Sequence, residues 1–401
     1  MGLNDVASAE RLHIGFFGVR NAGKSSIVNA VTGQNLSVVS DVKGTTTDPV
    51  KKAMELLPLG PVVIIDTPGL DDEGDLGRLR VEKAKQIFNQ TDIAVLVTDG
   101  TRERTALEQE LLRQLAERNI PCLTACNKAD LIAERAALPE NAIYTSAVTG
   151  EGIRELKERL GAFARSRKNP RFLLRDLLHP QDIVVLVIPI DESAPKGRLI
   201  LPQQMALRDI LDAHAAAVCC QDTELKETLA GLSRPPAMVV TDSQAFGRVS
   251  RDTPEEISLT SFSILMARYK GDLKTLIRGA SALKSLKAGD RVLISEGCTH
   301  HRQCNDIGTV KLPGWIEAFC GARPEFSFTS GGTFPEDLSS YRLIVHCGGC
   351  MLNETAMKNR IAKAVQAHVP IVNYGIAIAH MNGILRRSLQ PFPDILEALD
   401  S

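Results

Sequence analysis

Short apolar runs alternate with stretches of helical apolar spacing along most of the chain, the pattern of an α/β architecture. Runs at residues 12–17, 62–65, 93–98 and 121–126 are apolar on both alternating faces, as buried parallel strands require. Residues 26–31 carry helical spacing close behind the first run, so the opening block predicts a doubly wound sheet. A basic, proline-broken stretch at 164–171 interrupts the pattern and reads as a linker. Beyond it come a strong apolar run at 183–190, helical spacing over 207–218 and a further run at 237–241. A last block has runs at 290–297, 341–345 and 369–375, with a helical pattern over 355–368. The expected division is 1–165, 166–265 and 266–401.

Composition narrows the classes. At 401 residues the chain is too long for one core, and its 44% hydrophobic and 24% charged residues are ordinary for a globular protein. A net charge of −1 gives no global field towards nucleic acid or anionic membrane. Only 4% of residues are aromatic, too few for a broad base-stacking surface, so no nucleic-acid partner is expected. The longest apolar run, 183–190, is far shorter than a membrane span, and residues 1–10 lack a secretory pattern. A cytoplasmic protein without a membrane partner is expected. Nine cysteines, an odd number, point to free thiols or metal ligands rather than to a disulfide framework.

Chemistry appears where the first run ends. Gly18-Val-Arg-Asn-Ala-Gly-Lys-Ser25 is a full match to the phosphate-loop pattern, set between a strand and a helix. Gly18 and Gly23 let backbone N–H groups turn onto phosphate oxygens. Lys24 reaches the β and γ phosphates and Ser25 holds Mg²⁺, while Asn21, Ala22 and Ser26 complete the binding stretch. The second run ends in Asp66-Thr-Pro-Gly69, where the acid can orient water on Mg²⁺ and the Gly69 N–H can meet the γ-phosphate. Asn127-Lys-Ala-Asp130 follows the fourth run, and Ser146-Ala147 comes after it.

With Gly44-Thr-Thr-Thr-Asp48, these segments resemble, in order, the five motifs of translation-factor-related GTPases. The resemblance implies GTP/GDP as ligand and GTP hydrolysis as reaction. Asp130 would bond the guanine N1 and N2 edge, Asn127 brace the loop, Lys128 cover the base and the Ser146-Ala147 backbone read O6. Adenine would leave that carboxylate unpaired. Thr46 is the implied switch-one Mg²⁺ ligand and belongs with Lys24, Asp66 and Gly69 in the catalytic set. Asn21 stands where the potassium-dependent TrmE-like GTPases bind K⁺ against the phosphates, although asparagine also suits a tight turn. Leu70 replaces the water-positioning glutamine of Ras-type enzymes, so another group must orient the water. Cys122 and Cys126 read as core thiols, as do the adjacent Cys219 and Cys220.

Two further clusters lie at the carboxyl ends of predicted strands in the last block, Cys298-Thr-His300 and His346-Cys-Gly-Gly-Cys350. Thiolates of Cys298, Cys347 and Cys350 with imidazoles of His300 and His346 suit tetrahedral zinc or an iron–sulfur cluster. A redox pair at Cys347 and Cys350 is a third reading. Cys304 and Cys320 fall outside the pattern.

Taken together, the GTPase motifs, Ser193-Ala-Pro-Lys-Gly-Arg-Leu-Ile-Leu-Pro202 and the two Cys/His clusters closely resemble the FeFe-hydrogenase maturation GTPases (HydF). The resemblance implies a GTPase domain, a small α/β dimerisation domain and an α/β domain holding a 4Fe–4S cluster. Cys298, Cys347 and Cys350 would be its cysteine ligands, with His346 or His300 as a labile fourth. It also implies a homodimeric scaffold that receives a di-iron precursor from two radical-SAM maturases and passes it to apo-hydrogenase. A TrmE/Era-like GTPase of tRNA modification or ribosome assembly, and a GTPase with a structural zinc domain, are the alternatives.

Overall fold

The computed structural model describes residues 8–35, 49–69, 86–166, 171–190, 199–298 and 306–400. The chain forms two compact units, Met1–Pro170 and Arg171–Ser401. Among the described residues, no helix is long and apolar enough to cross a membrane.

The first unit is built on a six-stranded sheet. Its strands are β1 (Leu12–Phe17), β2 (Val50–Leu56), β3 (Gly60–Asp66), β4 (Ile93–Asp99), β5 (Cys122–Asn127) and β6 (Ala142–Tyr144), in the order β2-β3-β1-β4-β5-β6. All neighbours pair in parallel except β2, which runs antiparallel along the edge of β3. The polar sequence of β2 and its exposed positions suit an edge strand, and they hide it from a search for apolar runs. Alternation explains the two-sided core. Phe16, Ile64 and Val95 meet α1 (Lys24–Thr32), and Phe17, Ile65 and Leu96 face the opposite side with α2 (Ala106–Glu117). A capping box between Thr105 and Glu108 starts α2, and Gly33 in the left-handed region ends α1.

The second unit holds two four-stranded parallel sheets around one continuous core. The first contains β7 (Ile183–Val187), β8 (Ala216–Cys220), β9 (Met238–Thr241) and β10 (Ser258–Ser261) in the order β10-β9-β7-β8. The second contains β11 (Arg291–Ser295), β12 (Glu325–Thr329), β13 (Leu343–His346) and β14 (Ile371–Asn373) in the order β12-β11-β13-β14. In each sheet the chain turns to the other side after its second strand, so β7/β9 and β11/β13 are switch points.

One helix expectation shifts. The helix occupies Leu201–Asp212, and His214 in the left-handed region (φ 57°) turns the chain into β8. Cys220 is half-buried and Cys219 is exposed on this edge strand, so Cys219 is not the core thiol its apolar neighbourhood suggested.

Candidate functional site

The phosphate-loop residues lie between β1 and α1, at the carboxyl edge of the first sheet. Gly18 is wedged under β4, where a Cβ would meet the Val97 carbonyl oxygen at 2.5 Å. Gly23 has φ 85°, and a Cβ there would reach Asn127 Nδ2 at 2.1 Å. Only glycine lets the loop pass so close to the base-reading segment. The buried Lys24 ammonium ion-pairs with Asp66, and Ser25 Oγ donates to the other Asp66 oxygen at 3.3 Å. Gly69 packs on the loop itself, its Cβ position 3.3 Å from Arg20 Cα.

Asn127 ties the two halves of the pocket together. Its Nδ2 donates to the Ala22 carbonyl at 3.0 Å, and its Oδ1 accepts from the Ala147 N–H at 3.2 Å. Ser146 Oγ donates to Asp130 Oδ1 at 2.5 Å, and Lys128, with φ 65°, reaches Asp99 Oδ2 at 2.5 Å. The loops that would read phosphate and base are thus cross-braced through one buried amide. Asn21 is exposed with φ 62°, and Ala22 and Ser26 flank the loop's entry into α1. Thr46 lies outside the described residues, as do Leu70 and the rest of the threonine run. Cys126 is buried, and burial pushes the Cys122 thiol up to about 12, so neither is reactive.

Cys298 and the Cys347–Cys350 turn follow the paired strand ends at the β11/β13 switch point. Parallel pairing sets Ser295 opposite His346, so Gly297-Cys298 and Cys347–Cys350 leave the sheet side by side. A Cβ on Gly297 would stand 3.5 Å from Gly349 Cα and 2.8 Å from Leu352 Cγ. Cys347 Sγ accepts from the Gly297 N–H at 3.0 Å and from the Gly349 N–H at 3.4 Å. Burial pushes this thiol up to about 11, against the pull of those amides, so it ionises when a cation neutralises the sulfur. Backbone donors aimed at sulfur are what a metal-bound thiolate uses, and cysteine is the donor type an iron–sulfur cluster would take.

His346 is placed differently from an open ligand. It is fully buried, with Nδ1 on its neighbour's Cys347 carbonyl at 2.7 Å and Nε2 accepting from Arg360 at 2.8 Å. Burial and the Arg360 charge push its pKa down to about 3, so the ring is neutral. His300, like His301 and Cys304, lies outside the described residues. Among the described residues no three His, Cys, Asp or Glu side chains are grouped to hold a metal ion. Arg360, Glu296 and Lys270 also surround the site, and no motif marks them. Glu296 and Lys270 are charged residues in apolar segments and Arg360 sits on an amphipathic helix, and only the fold shows what each touches.

Residues 13–128 match the family described as "50S ribosome-binding GTPase". Residues 173–271 match the "Hydrogen maturase F dimerization domain", and 274–391 the "Hydrogen maturase F tetramerization domain". The chain is similar to the tRNA modification GTPase MnmE of Nitrosomonas europaea, at 35% identity over 156 residues, or 38% of this chain and 34% of that protein. It thus spans about a third of the length of the curated relatives it matches. Among solved structures it is similar to a probable GTP-binding protein engB, at 26% identity and TM-score 0.32, over 39% of this chain and all (100%) of that one. Era of Aquifex aeolicus is similar at 16% identity and TM-score 0.35, over 81% of this chain and 94% of that one. The two hydrogen maturase F domains cover more than half of the chain behind a GTPase domain, so this protein belongs to the hydrogen maturase F family.

Proposed function

We propose that the second unit carries a 4Fe–4S cluster on Cys298, Cys347 and Cys350, and that the chain holds a di-iron precursor for delivery to apo-hydrogenase. The observation behind this reading is the meeting of two loops at one switch point, with two backbone amides aimed at Cys347 Sγ. When bound, such a cluster supplies an iron with a replaceable ligand, a coordination point for an incoming iron unit. Three cysteines leave that position open, and His346 serves instead to hold the end of β13 through its two ring contacts. Two radical-SAM maturases supply the precursor in this reading, and the chain works as a homo-oligomer, in keeping with the two family domains.

The test is anaerobic reconstitution of the full chain with ferrous iron and sulfide, then loading with precursor and mixing with apo-hydrogenase. Iron-containing brown protein that activates the hydrogenase is the expected result. Colourless protein with one zinc per chain would replace this reading by a structural metal site. Cys347→Ala should abolish iron uptake while GTP turnover stays within about twofold, because the thiols lie in a separate compact unit. Parallel loss of both activities would contradict that separation.

In the GTPase unit, Mg²⁺ falls to Ser25 with Thr46, and we assign K⁺ to Asn21. A cation against the phosphates neutralises charge that develops in the transition state. Asn21→Gly keeps the φ 62° backbone free of strain while removing the side-chain oxygen. Turnover in KCl should exceed that in NaCl by about tenfold in the native chain and fall to parity in the variant. Equal native rates in both salts would remove K⁺ from the site.

A further inference from the structure

We propose that Lys270 is a positioning residue of the thiol site, holding the Cys347–Cys350 turn and placing a fixed positive charge beneath it; this rests on the cluster reading above. Lys270 closes helix α3 (Phe262–Lys270), whose sequence Phe-Ser-Ile-Leu-Met-Ala-Arg-Tyr-Lys is mostly apolar. Its side chain is 1% exposed. Lysine is almost never buried so far without partners, because taking an ammonium out of water costs several kcal/mol. Here the partners are carbonyls of the cluster turn: Nζ donates to Cys350 O at 3.1 Å and to Leu352 O at 2.8 Å.

The contact reaches both thiol loops. Leu352, gripped through its carbonyl, packs against Gly297, where a Cβ would stand 2.8 Å from Leu352 Cγ. Gly297 in turn donates its N–H to Cys347 Sγ at 3.0 Å. The other end of the same helix holds the neighbouring strand end, since Ser263 Oγ accepts from Asn373 Nδ2 at 3.0 Å and from the Gly375 N–H at 3.2 Å. The helix lies in the segment matching the dimerization domain, and the loops it holds lie in the segment matching the tetramerization domain. A helix of one module therefore sets the shape of the site in the other. A methionine would fill the same space without a buried charge, so core packing alone gives no reason for lysine here.

A positive charge on the carbonyls of the cysteine turn favours the reduced cluster, which is the more negative form, and backbone held in place slows ligand loss. The test uses the full chain, reconstituted anaerobically with ferrous iron and sulfide, as native protein, Lys270→Met and Lys270→Gln. Both variants should elute and turn over GTP like the native chain. Their cluster midpoint potential, followed by electron paramagnetic resonance, should move to more negative values. Their iron should be lost to a chelator about tenfold faster or more. Folded variants with the native potential and iron-release rate would overturn the proposal. So would failure of both variants to fold, which would make Lys270 a core residue. Failure of the native chain to take up iron would instead overturn the cluster reading itself.

Discussion

Replacing Lys24 with alanine should lower GTP turnover by about 10²–10³-fold, the loss seen when one preorganised donor to developing charge is removed. The lysine stands at the first turn of α1, behind a glycine that only a left-handed backbone can place there. It is buried and ion-paired with Asp66, and Ser25 donates to the same carboxylate at 3.3 Å. The side chains that meet phosphate and Mg²⁺ are thus gathered around one acid before any phosphate is counted. With nucleotide bound, Lys24 would leave Asp66 for the β and γ oxygens, and Asp66 would hold water for the metal, which would supply charge neutralisation there. Alanine removes the charge and leaves the loop backbone and its glycine turns intact. Phosphate release measured at saturating GTP and Mg²⁺ separates this from weaker binding, and native-like turnover in the variant would take Lys24 out of the catalytic set.

Legibility of the fold followed burial on both faces. Strands β1, β3, β4 and β5 are largely apolar, and β1, β3 and β5 run straight into the segments that resemble GTPase motifs, so their place could be read. Strand β2 (Val-Lys-Lys-Ala-Met-Glu-Leu) could not, because an edge strand wet on most positions carries a polar pattern. Strand β12, with Phe326 and Phe328 separated by Ser327, is another edge that a search for apolar runs passes over. The cysteines announced the thiol site by spacing. Their surroundings were silent, since Arg360 sits on an ordinary amphipathic helix and Lys270 ends an apolar one. A histidine beside two cysteines reads as a ligand in sequence; its neighbour in space, an arginine fourteen residues on, decides what its ring nitrogens touch.

That arginine carries the second large effect. Arg360, 5% exposed, projects from the helix Glu354–Gln366 towards the end of the β12-β11-β13-β14 sheet. Its guanidinium donates to His346 Nε2 at 2.8 Å, Ser295 Oγ at 3.2 Å and Gly331 O at 2.6 Å, and lies 5.1 Å from the Phe334 ring centroid. Ser295 and His346 are the paired last residues of β11 and β13, so one side chain staples the two strand ends from which the cysteine loops depart. Burial pushes its pKa down to about 10, which still leaves it charged at neutral pH. Arg360→Met keeps most of the buried volume but removes three hydrogen bonds, each a loss of about 1 kcal/mol or more, and among the described residues only Ser295 Oγ keeps another donor, Thr329 Oγ1 at 3.0 Å. The second unit should lose about 3 kcal/mol, a midpoint drop of roughly 6–12 °C for a body of its size. Trp315, the chain's single tryptophan, lies in the second unit and reports its unfolding alone. GTP turnover at temperatures below that midpoint should match the native chain, because the first unit has its own core. A tryptophan midpoint within about 2 °C of the native value would mean that water or neighbouring donors replace the guanidinium, and that the strand ends do not depend on it.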